Sequence, residues 1–314
     1  MVFGVIGAFV AFFSGLTLLI FSSDRAVKHS IAIASALKIS PLIIGLTLVS
    51  LGTDLPEIIN SIISCAMGHG DVNLGNSIGS VLSQLTLIFG FFPFIAGSFR
   101  IKRKEIGMIG GCLILALSLM LLLIKSDSTS RLVPFILVAI WPVLMLIIKR
   151  VKTATTEPTL EEELSNVTKI FDNLFVAIFG FIGVAIGSYI VIQSIVSLSS
   201  LLNVPEFITS FFILGVGTSL PELSVDFTAL RKKRYELAVG DILGSCIIDA
   251  TLSLGIGLLL FPTPISISIG EITGLYTLIV SIIVVSLIML REKVDRITGV
   301  IFILLYLLTY AIIR

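Results

Sequence analysis

Four acidic residues of this chain lie within long apolar stretches, where a charged side chain is costly. Asp54, Glu57, Glu222 and Asp249 share those stretches with no lysine or arginine. A carboxylate at the centre of a membrane-spanning helix costs about 2.5–3.5 kcal/mol, so four cost on the order of 10 kcal/mol unless they are neutralised. We therefore predict that these acids bind ions. Neutral acids that are hydrogen-bonded within a core are the alternative.

The polar residues around the acids predict which ion binds. Pro56 and Pro221 cannot donate a helical hydrogen bond, and Gly52 and Gly217 lie close by, so we expect both helices to break there and free carbonyl oxygens. Hydroxyl and amide groups accompany both breaks, at Thr53, Thr218, Ser219, Ser80, Ser245 and Gln84. A cage of carboxylate, carbonyl, amide and hydroxyl oxygens suits Ca²⁺ or Na⁺ rather than a soft metal.

These acids belong to a motif that occurs twice. Gly-Thr-Asp-Leu-Pro-Glu at 52–57 recurs as Gly-Thr-Ser-Leu-Pro-Glu at 217–222. The shift in residue number is 165 (217 − 52), and we call it the repeat offset. The same offset relates Gly75 to Gly240, Gly79-Ser80 to Gly244-Ser245, Thr86-Leu87 to Thr251-Leu252, and Gly90 to Gly255. We call residues 52–90 the first copy and residues 217–255 the second copy. The small-xxx-small spacing of glycines 75, 79, 240 and 244 predicts close helix packing in both copies.

Composition identifies the elements that must position these residues. The 314 residues are 56% hydrophobic and 13% charged, with a mean hydropathy of +1.13, which excludes a soluble enzyme. Ten segments are apolar and long enough to span a membrane. They are residues 3–22, 41–66, 74–96, 106–124, 132–148, 171–198, 207–230, 237–261, 267–290 and 297–313. We read the first as a retained helix and not as a signal peptide.

The number of spans predicts how the two copies are related. Five spans separate the copies, so the copies cross the membrane in opposite directions. The sequence therefore predicts an all-α membrane protein with ten transmembrane helices, arranged as two inverted five-helix repeats, a plan found in many secondary transporters. Residues 1–148 form the first repeat, 149–170 a linker, and 171–314 the second repeat.

Lysine and arginine predict the orientation. Eighteen of the 21 lie in loops on one side of the ten-span topology. The positive-inside rule places that side, with the linker, in the cytoplasm and both termini outside a cell membrane that the chain crosses several times. Net charge is only +1, so nucleic acid is not an expected partner. The expected partners are inorganic cations and the lipid bilayer, and we expect no cofactor; the oligomeric state stays open.

At the repeated motifs the sequence resembles the cation/calcium antiporter superfamily, in particular its prokaryotic sodium/calcium exchanger branch. The segment 217–222 and the segment Gly-Asp-Ile-Leu-Gly-Ser-Cys-Ile-Ile-Asp at 240–249 carry the resemblance, and residues 52–57 and 75–84 repeat it. The proton/calcium branch typically has Gly-Asn-X-X-Glu at the first motif and fits less well. The resemblance implies exchange of Na⁺ for Ca²⁺ by alternating access.

The resemblance also implies roles for individual residues. Glu57 and Glu222 would form the centre of the Ca²⁺ site, with backbone oxygens around Thr53 and Thr218. Gln84 and Asp249 would hold the remaining central positions. The flanking Na⁺ sites would involve Ser50, Ser80, Gly215, Ser219 and Ser245.

Two departures from the family pattern leave alternatives open. Asp54 stands where the family usually has serine, and Gln84 where it has asparagine or aspartate. We hypothesise that Asp54 is ionised when a neighbouring ion is bound and protonated when that ion is absent. An H⁺/Ca²⁺ antiporter, or a Na⁺-coupled exchanger of another cation, is therefore the alternative on the same fold.

Two readings from other classes fit less well, and two acids stay unassigned. An intramembrane aspartyl protease is suggested by paired aspartates and Val239-Gly240-Asp241, but Ala238 replaces the glycine of that motif. A passive channel is the other. Asp226 and Asp241 either line an ion path or lie in water near the cytoplasmic face.

Overall fold

The computed structural model describes residues 4–36, 54–125, 130–152, 170–231, 233 and 235–313, and in these residues the chain is almost entirely helical. The α-helices are α1 (Val5–Ala36), α2 (Leu55–Ala66), α3 (Gly70–Leu82), α4 (Phe89–Ala96), α5 (Arg103–Lys125), α6 (Leu132–Lys152), α7 (Ile170–Leu202), α8 (Glu206–Thr209), α9 (Gly215–Thr218), α10 (Leu220–Arg231), α11 (Tyr235–Ile248), α12 (Leu254–Leu260), α13 (Ile267–Arg291) and α14 (Arg296–Ile312). Three π-helical segments continue α-helices, at Ser83–Ile88, Ser210–Leu214 and Asp249–Ser253. Two short strands, β1 (Phe99–Arg100) and β2 (Lys293–Val294), pair antiparallel.

Length and composition make this a multi-pass membrane protein. Seven helical stretches are long and apolar enough to cross a membrane, and three shorter apolar helices, Leu55–Ala66, Leu132–Ile148 and Arg296–Ile312, accompany them. The predicted all-α membrane class is confirmed, whereas the count of ten crossings stays a prediction. The part of the predicted second span before Asp54 and most of the linker 149–170 lie outside the described residues.

The helix boundaries follow the predicted spans closely, with one large difference. The helix α1 continues to Ala36, although the predicted span ends at residue 22. Its polar residues Ser23, Asp24 and Arg25 end the apolar run but are compatible with helical backbone. Hydropathy therefore marked the portion suited to lipid and not the end of the helix.

Two helical stretches form the centre of the molecule. The stretches Gly70–Ala96 and Ala238–Leu260 have 78% of their apolar window buried within the protein, against 28% for Val5–Ala26. Each central stretch contains one π-helical segment and carries residues of one copy of the motif. The polar residues of both copies are thus surrounded by protein, while the outer helices present apolar side chains outward.

Glycines allow the central stretch of the first copy to approach its neighbour closely. A Cβ atom on Gly75 or Gly79 of α3 would collide with the carbonyl oxygen of Phe207 or Phe211. The prediction of close packing is confirmed at these two positions. At Gly244 of α11 it stays a prediction, because the repeat offset relates Phe211 to residue 46, which lies outside the described residues.

Helix α1 packs along α7 through a second set of glycines. A Cβ atom on Gly180 would lie 2.8 Å from the backbone nitrogen of Ala26, and one on Gly187 would lie 2.8 Å from that of Leu19. Gly183 contacts Ser22 between them. The two long outer helices therefore approach each other at backbone distance.

The loops meet at opposite ends of the helices. At one end β1 pairs with β2, and the ring of Phe99 stacks on Tyr235 with centroids 4.7 Å apart. At the other end His69 Nδ1 lies 2.9 Å from Glu206 Oε2, and the carboxylate of Asp71 accepts hydrogen bonds from the backbone and hydroxyl of Ser266 at 2.6 and 2.5 Å. We call the first end, which carries Arg100, Lys293 and the turn after Arg231, the basic end.

Candidate cation site

The site contains an interruption of the helical backbone in the second copy, and the equivalent one in the first copy stays a prediction. Helix α9 ends at Thr218 and α10 begins at Leu220, so the predicted break of the second copy is confirmed. Ser219, between the two helices, has φ −82° and ψ 7°. Asp54, at the equivalent position of the first copy, has φ −84° and ψ 4° and precedes α2. Residues 37–53 lie outside the described structure, so only the start of the helix after the first break is observed.

The four predicted acids are buried in the interior, within electrostatic range of one another. Asp54, Glu57, Glu222 and Asp249 are all 0% exposed. Glu222 lies within electrostatic range of Glu57, Asp54 and Asp249, and Asp249 within range of Glu57 and Asp54. None of these four acids forms an ion pair with a described lysine, arginine or histidine. Their mutual repulsion is therefore not relieved by a basic side chain.

Six carboxylate oxygens of these acids have no hydrogen-bond donor. Both oxygens of Glu57 and of Glu222, and Oδ1 of Asp54 and of Asp249, are buried without a partner in the described structure. Buried polar atoms are nearly always hydrogen-bonded, and a buried charge requires a compensating charge. This arrangement can bind cations or protons.

Neutral polar groups hold the other carboxylate oxygens in place. The hydroxyl of Ser245 donates to Asp54 Oδ2 at 3.2 Å. The Nε2 amide of Gln84 donates to Asp249 Oδ2 at 3.2 Å and to the hydroxyl oxygen of Ser219 at 3.3 Å. Gln84 and Asp249 are related by the repeat offset, so this bond joins equivalent positions of the two copies.

The carbonyl oxygen of Gly215 is a common acceptor. It receives hydrogen bonds from the hydroxyls of Ser80, Ser83 and Ser219 at 3.3, 3.3 and 2.8 Å. A Cβ atom on Gly215 would lie 2.7 Å from the carbonyl carbon of Gly79. Glycine at both positions therefore lets α3 reach the backbone of α9.

The hydroxyl of Thr218 lies between Ser80 and Asn76, and Asn76 was not predicted from the sequence. This hydroxyl lies 3.4 Å from that of Ser80 and 3.1 Å from Asn76 Oδ1. Asn76 is one helical turn before Ser80, and that i, i+4 spacing is the signal that would have found it. Ser83 and Cys246, whose thiol donates to Gln84 Oε1 at 3.2 Å, were missed as well and carry no comparable signal.

Both central polar positions lie in π-helical backbone. Gln84 belongs to the segment Ser83–Ile88, and Asp249 begins the segment Asp249–Ser253. Short π-helical segments within α-helices occur frequently at functional sites, because the wider turn redirects side chains and frees carbonyl oxygens.

Two of the predicted site residues are not among those that the structure describes. Ser50 and Thr53 lie outside the described residues. Within those residues, no group of three or more His, Cys, Asp and Glu side chains converges as a metal cluster. A cation at this site would therefore draw on hydroxyl, amide and carbonyl oxygens as well as carboxylates, which is typical of hard cations.

Comparison with known proteins gives matches along nearly the whole chain. The family model described as sodium/calcium exchanger protein matches residues 7–149 and 173–313. The putative antiporter CaxA of Alkalimonas amylolytica is 29% identical over 311 residues, covering 93% of this chain and 94% of that protein. The sodium/calcium exchanger MaX1 of Methanosarcina acetivorans is 24% identical over 351 residues, covering 95% and 96%.

A solved structure shares the fold. The sodium-calcium exchanger NCX_Mj, soaked with 10 mM Na⁺ and zero Ca²⁺, is 26% identical to this chain with a TM-score of 0.63. The match covers 99% of this chain and 100% of that one. The similarity therefore includes both copies of the motif and the helices around them.

Proposed function

This chain belongs to the sodium/calcium exchanger family, and we propose that it is a secondary active antiporter exchanging Na⁺ for Ca²⁺ across the membrane by alternating access. One observation carries the proposal: six buried carboxylate oxygens of the four acids have no donor among the described residues. Na⁺ and Ca²⁺ would compete for this acidic site, so that binding of one favours release of the other.

We assign the central Ca²⁺ ligands to Glu57 and Glu222, with Gln84 and Asp249 completing the centre. Backbone oxygens around Thr53 and Thr218 would contribute. Flanking Na⁺ sites would use Ser50, Asp54, Ser80, Gly215, Ser219 and Ser245. The bonds from Gln84 to Asp249 and from Ser245 to Asp54 support this assignment, because they orient the acids while leaving one oxygen of each without a donor.

We also propose ten transmembrane helices in two inverted five-helix repeats. The repeats would be residues 1–148 and 171–314, joined by the linker 149–170. The matching dihedral angles of Asp54 and Ser219 support this arrangement. The π-helical segments at Gln84 and Asp249, which the repeat offset relates, support it too.

For orientation, we propose that the basic end and the linker are cytoplasmic and that both termini lie outside the cell. The pairing of β1 with β2 and the stacking of Phe99 on Tyr235 bring three of the lysine- and arginine-rich loops to one end. This is the distribution that the positive-inside rule requires.

One observation favours a second candidate function, H⁺/Ca²⁺ exchange. Asp54 is fully buried, Oδ1 lacks a donor, and Ser219 holds the equivalent position. An acid at this position can carry a proton where a neutral hydroxyl cannot. Exchange of Na⁺ for another cation would use the same set of residues.

The proposal is tested by ⁴⁵Ca²⁺ uptake into liposomes that contain the purified full-length protein. Liposomes loaded with Na⁺ and diluted into Na⁺-free buffer should accumulate ⁴⁵Ca²⁺ against its gradient, which a passive channel cannot do. Glu57→Gln and Glu222→Gln should each abolish uptake, because each removes a negative charge from the centre. Glu271→Gln, at a carboxyl that pairs with Lys125 at 2.7 Å outside the site, is the matched control and should transport normally.

The same assay separates the two candidates. Uptake that follows an imposed pH gradient and not internal Na⁺, and that loses its pH dependence in Asp54→Asn, would establish H⁺ coupling. Uptake that persists in both glutamine variants would refute the acidic centre. No Ca²⁺ flux under either gradient would refute the substrate assignment.

A further inference from the structure

Two acids lie outside the central site, in the antiparallel helices α10 and α11. Asp226 is five residues before the end of α10, and Asp241 is six residues after the start of α11. Asp226 is 0% exposed, whereas Asp241 is half-buried. The two positions therefore form a step from the surface toward the interior.

Asp226 is buried, and no described side chain neutralises it. Both of its carboxylate oxygens lack a hydrogen-bond partner in the described structure. Arg231, at the end of the same helix, places its guanidinium over the ring of Phe227, 4.7 Å from the centroid. A buried carboxylate beside a second carboxylate is strongly unfavourable, so Asp226 requires a cation or a proton.

The neighbours of Asp226 place it on a path to the central site. Its carboxyl faces that of Asp241, which in turn lies within electrostatic range of Asp54. At about 1.5 Å per residue, Asp226 lies about 8 Å from Arg231 along the helix axis, and Glu222 about 14 Å. A series of acids thus leads from the basic end to the centre.

We propose that Asp226 and Asp241 form a second cation site, which holds a hard divalent cation between the basic end and the central site. Both oxygens of Asp226 and Oδ2 of Asp241 are buried carboxylate oxygens, the kind of ligand that suits Ca²⁺. This second cation site rests on the proposed function in one respect: the path leads to the central site, which the proposed function assigns to Ca²⁺ and Na⁺.

The first copy has no such site. The repeat offset relates Asp226 to Ser61 and Asp241 to Asn76. The hydroxyl oxygen of Ser61 accepts from the backbone N–H of Gly257 at 3.1 Å, and Asn76 Oδ1 accepts from the hydroxyl of Thr218. Both residues are neutral and hydrogen-bonded, so the second cation site exists at one end of the path only.

Equilibrium binding of ⁴⁵Ca²⁺ to the purified full-length protein tests the proposal. The unmodified chain should bind two Ca²⁺ ions and Asp226→Asn one. The double variant Asp226→Ser/Asp241→Asn, which gives the second copy the residues of the first, should also bind one. Asp226→Glu keeps the charge and should bind two. Where an Asp226 variant aggregates in gel filtration, Asp241→Asn replaces it and should bind one.

The outcomes separate this site from the central one. Glu222→Gln should lose the central ion and keep the ion at Asp226. Asp226→Asn with the stoichiometry and affinities of the unmodified chain would overturn the second site and show that the two acids share a proton. A single ion on the unmodified chain would overturn it as well. Normal transport by Glu222→Gln would refute the proposed function without changing the comparison at Asp226.

Discussion

The two copies of the motif have the same small residues but different acids. Gly79 and Gly244 are equivalent by sequence, and a Cβ atom on Gly79 would collide with the backbone of Phe211. In the first copy α3 is packed against the helix that carries the break of the second copy. The corresponding neighbour of Gly244 would be residue 46, which lies outside the described residues, so the difference that is observed between the copies lies in their polar side chains.

The acids lie at different positions in the two copies. Asp54 corresponds to Ser219, and Asp249 corresponds to Gln84, so each copy supplies two of the four central acids but at different positions. Neither Asp54 nor Asp249 has an acid at the equivalent position of the other copy. Asp54 accepts a hydrogen bond from Ser245 of the second copy, and Asp249 accepts one from Gln84 of the first. Each copy therefore donates a hydrogen bond to an acid of the other.

The largest effect that we expect concerns Gly79 of the first copy. Gly79→Ala should destabilise the protein by about 1–3 kcal/mol or more, because the added methyl group meets backbone atoms that cannot rotate away. Gly111→Ala is the control and should change stability little, because Gly111 is an exposed residue of α5 where a Cβ atom would meet no described atom within 4 Å. Thermal unfolding of both variants in the same detergent measures the difference. Equal loss in both variants would show that the approach of α3 to Phe211 does not require glycine.

A smaller effect is expected at the bond that joins the copies. Gln84→Ala removes the donor to Asp249 and Ser219, and residues that orient a ligand typically affect metal affinity by about 10–100-fold. The Ca²⁺ concentration for half-maximal uptake in the liposome assay should rise accordingly. Gln193→Ala in α7 is the control. Unchanged half-saturation in Gln84→Ala would show that Asp249 needs no support from the first copy.

The smallest effect concerns two helix N-termini that the repeat offset also relates. At α14 the carboxylate of Asp295 accepts from the backbone N–H of Thr298 at 3.0 Å and from Arg291 at 2.8 Å. At α6 the hydroxyl oxygen of Ser130 accepts from the backbone N–H of Leu132 at 3.4 Å. The backbone N–H of Thr298, with further contributions from Arg291 and Lys293, lowers the pKa of Asp295 to about 2.

A lowered pKa stabilises the folded state above the unfolded pKa, and this stabilisation is lost as the pH falls. Asp295→Ala should therefore lower Tm at neutral pH, by an amount that reflects about 0.5–2 kcal/mol for a lost cap. The difference from the unmodified chain should shrink between about pH 4 and pH 2. Ser130→Ala should have a smaller effect without pH dependence. A pH-independent difference for Asp295→Ala would show that its charge is unimportant.

Much of the fold was predictable because membrane insertion imposes simple requirements. A crossing helix needs about 20 apolar residues, and the described helices agree with most predicted spans to within a few residues. The end of α1 and the pairing of β1 with β2 were not predictable. The first depends on polar residues that helices tolerate in water, and the second on two loops that lie in opposite halves of the chain.

The sequence by itself determined that this is a membrane protein and which acids are candidates for the site. Glu57, Glu222, Asp54 and Asp249 stand out because a charge in an apolar span is costly wherever the chain folds. Only the tertiary structure decided which groups meet them. Hydrogen bonds act over about 3 Å, so the bond from Gln84 to Asp249, the shared carbonyl of Gly215 and the burial of Asp226 depend on how distant helices pack.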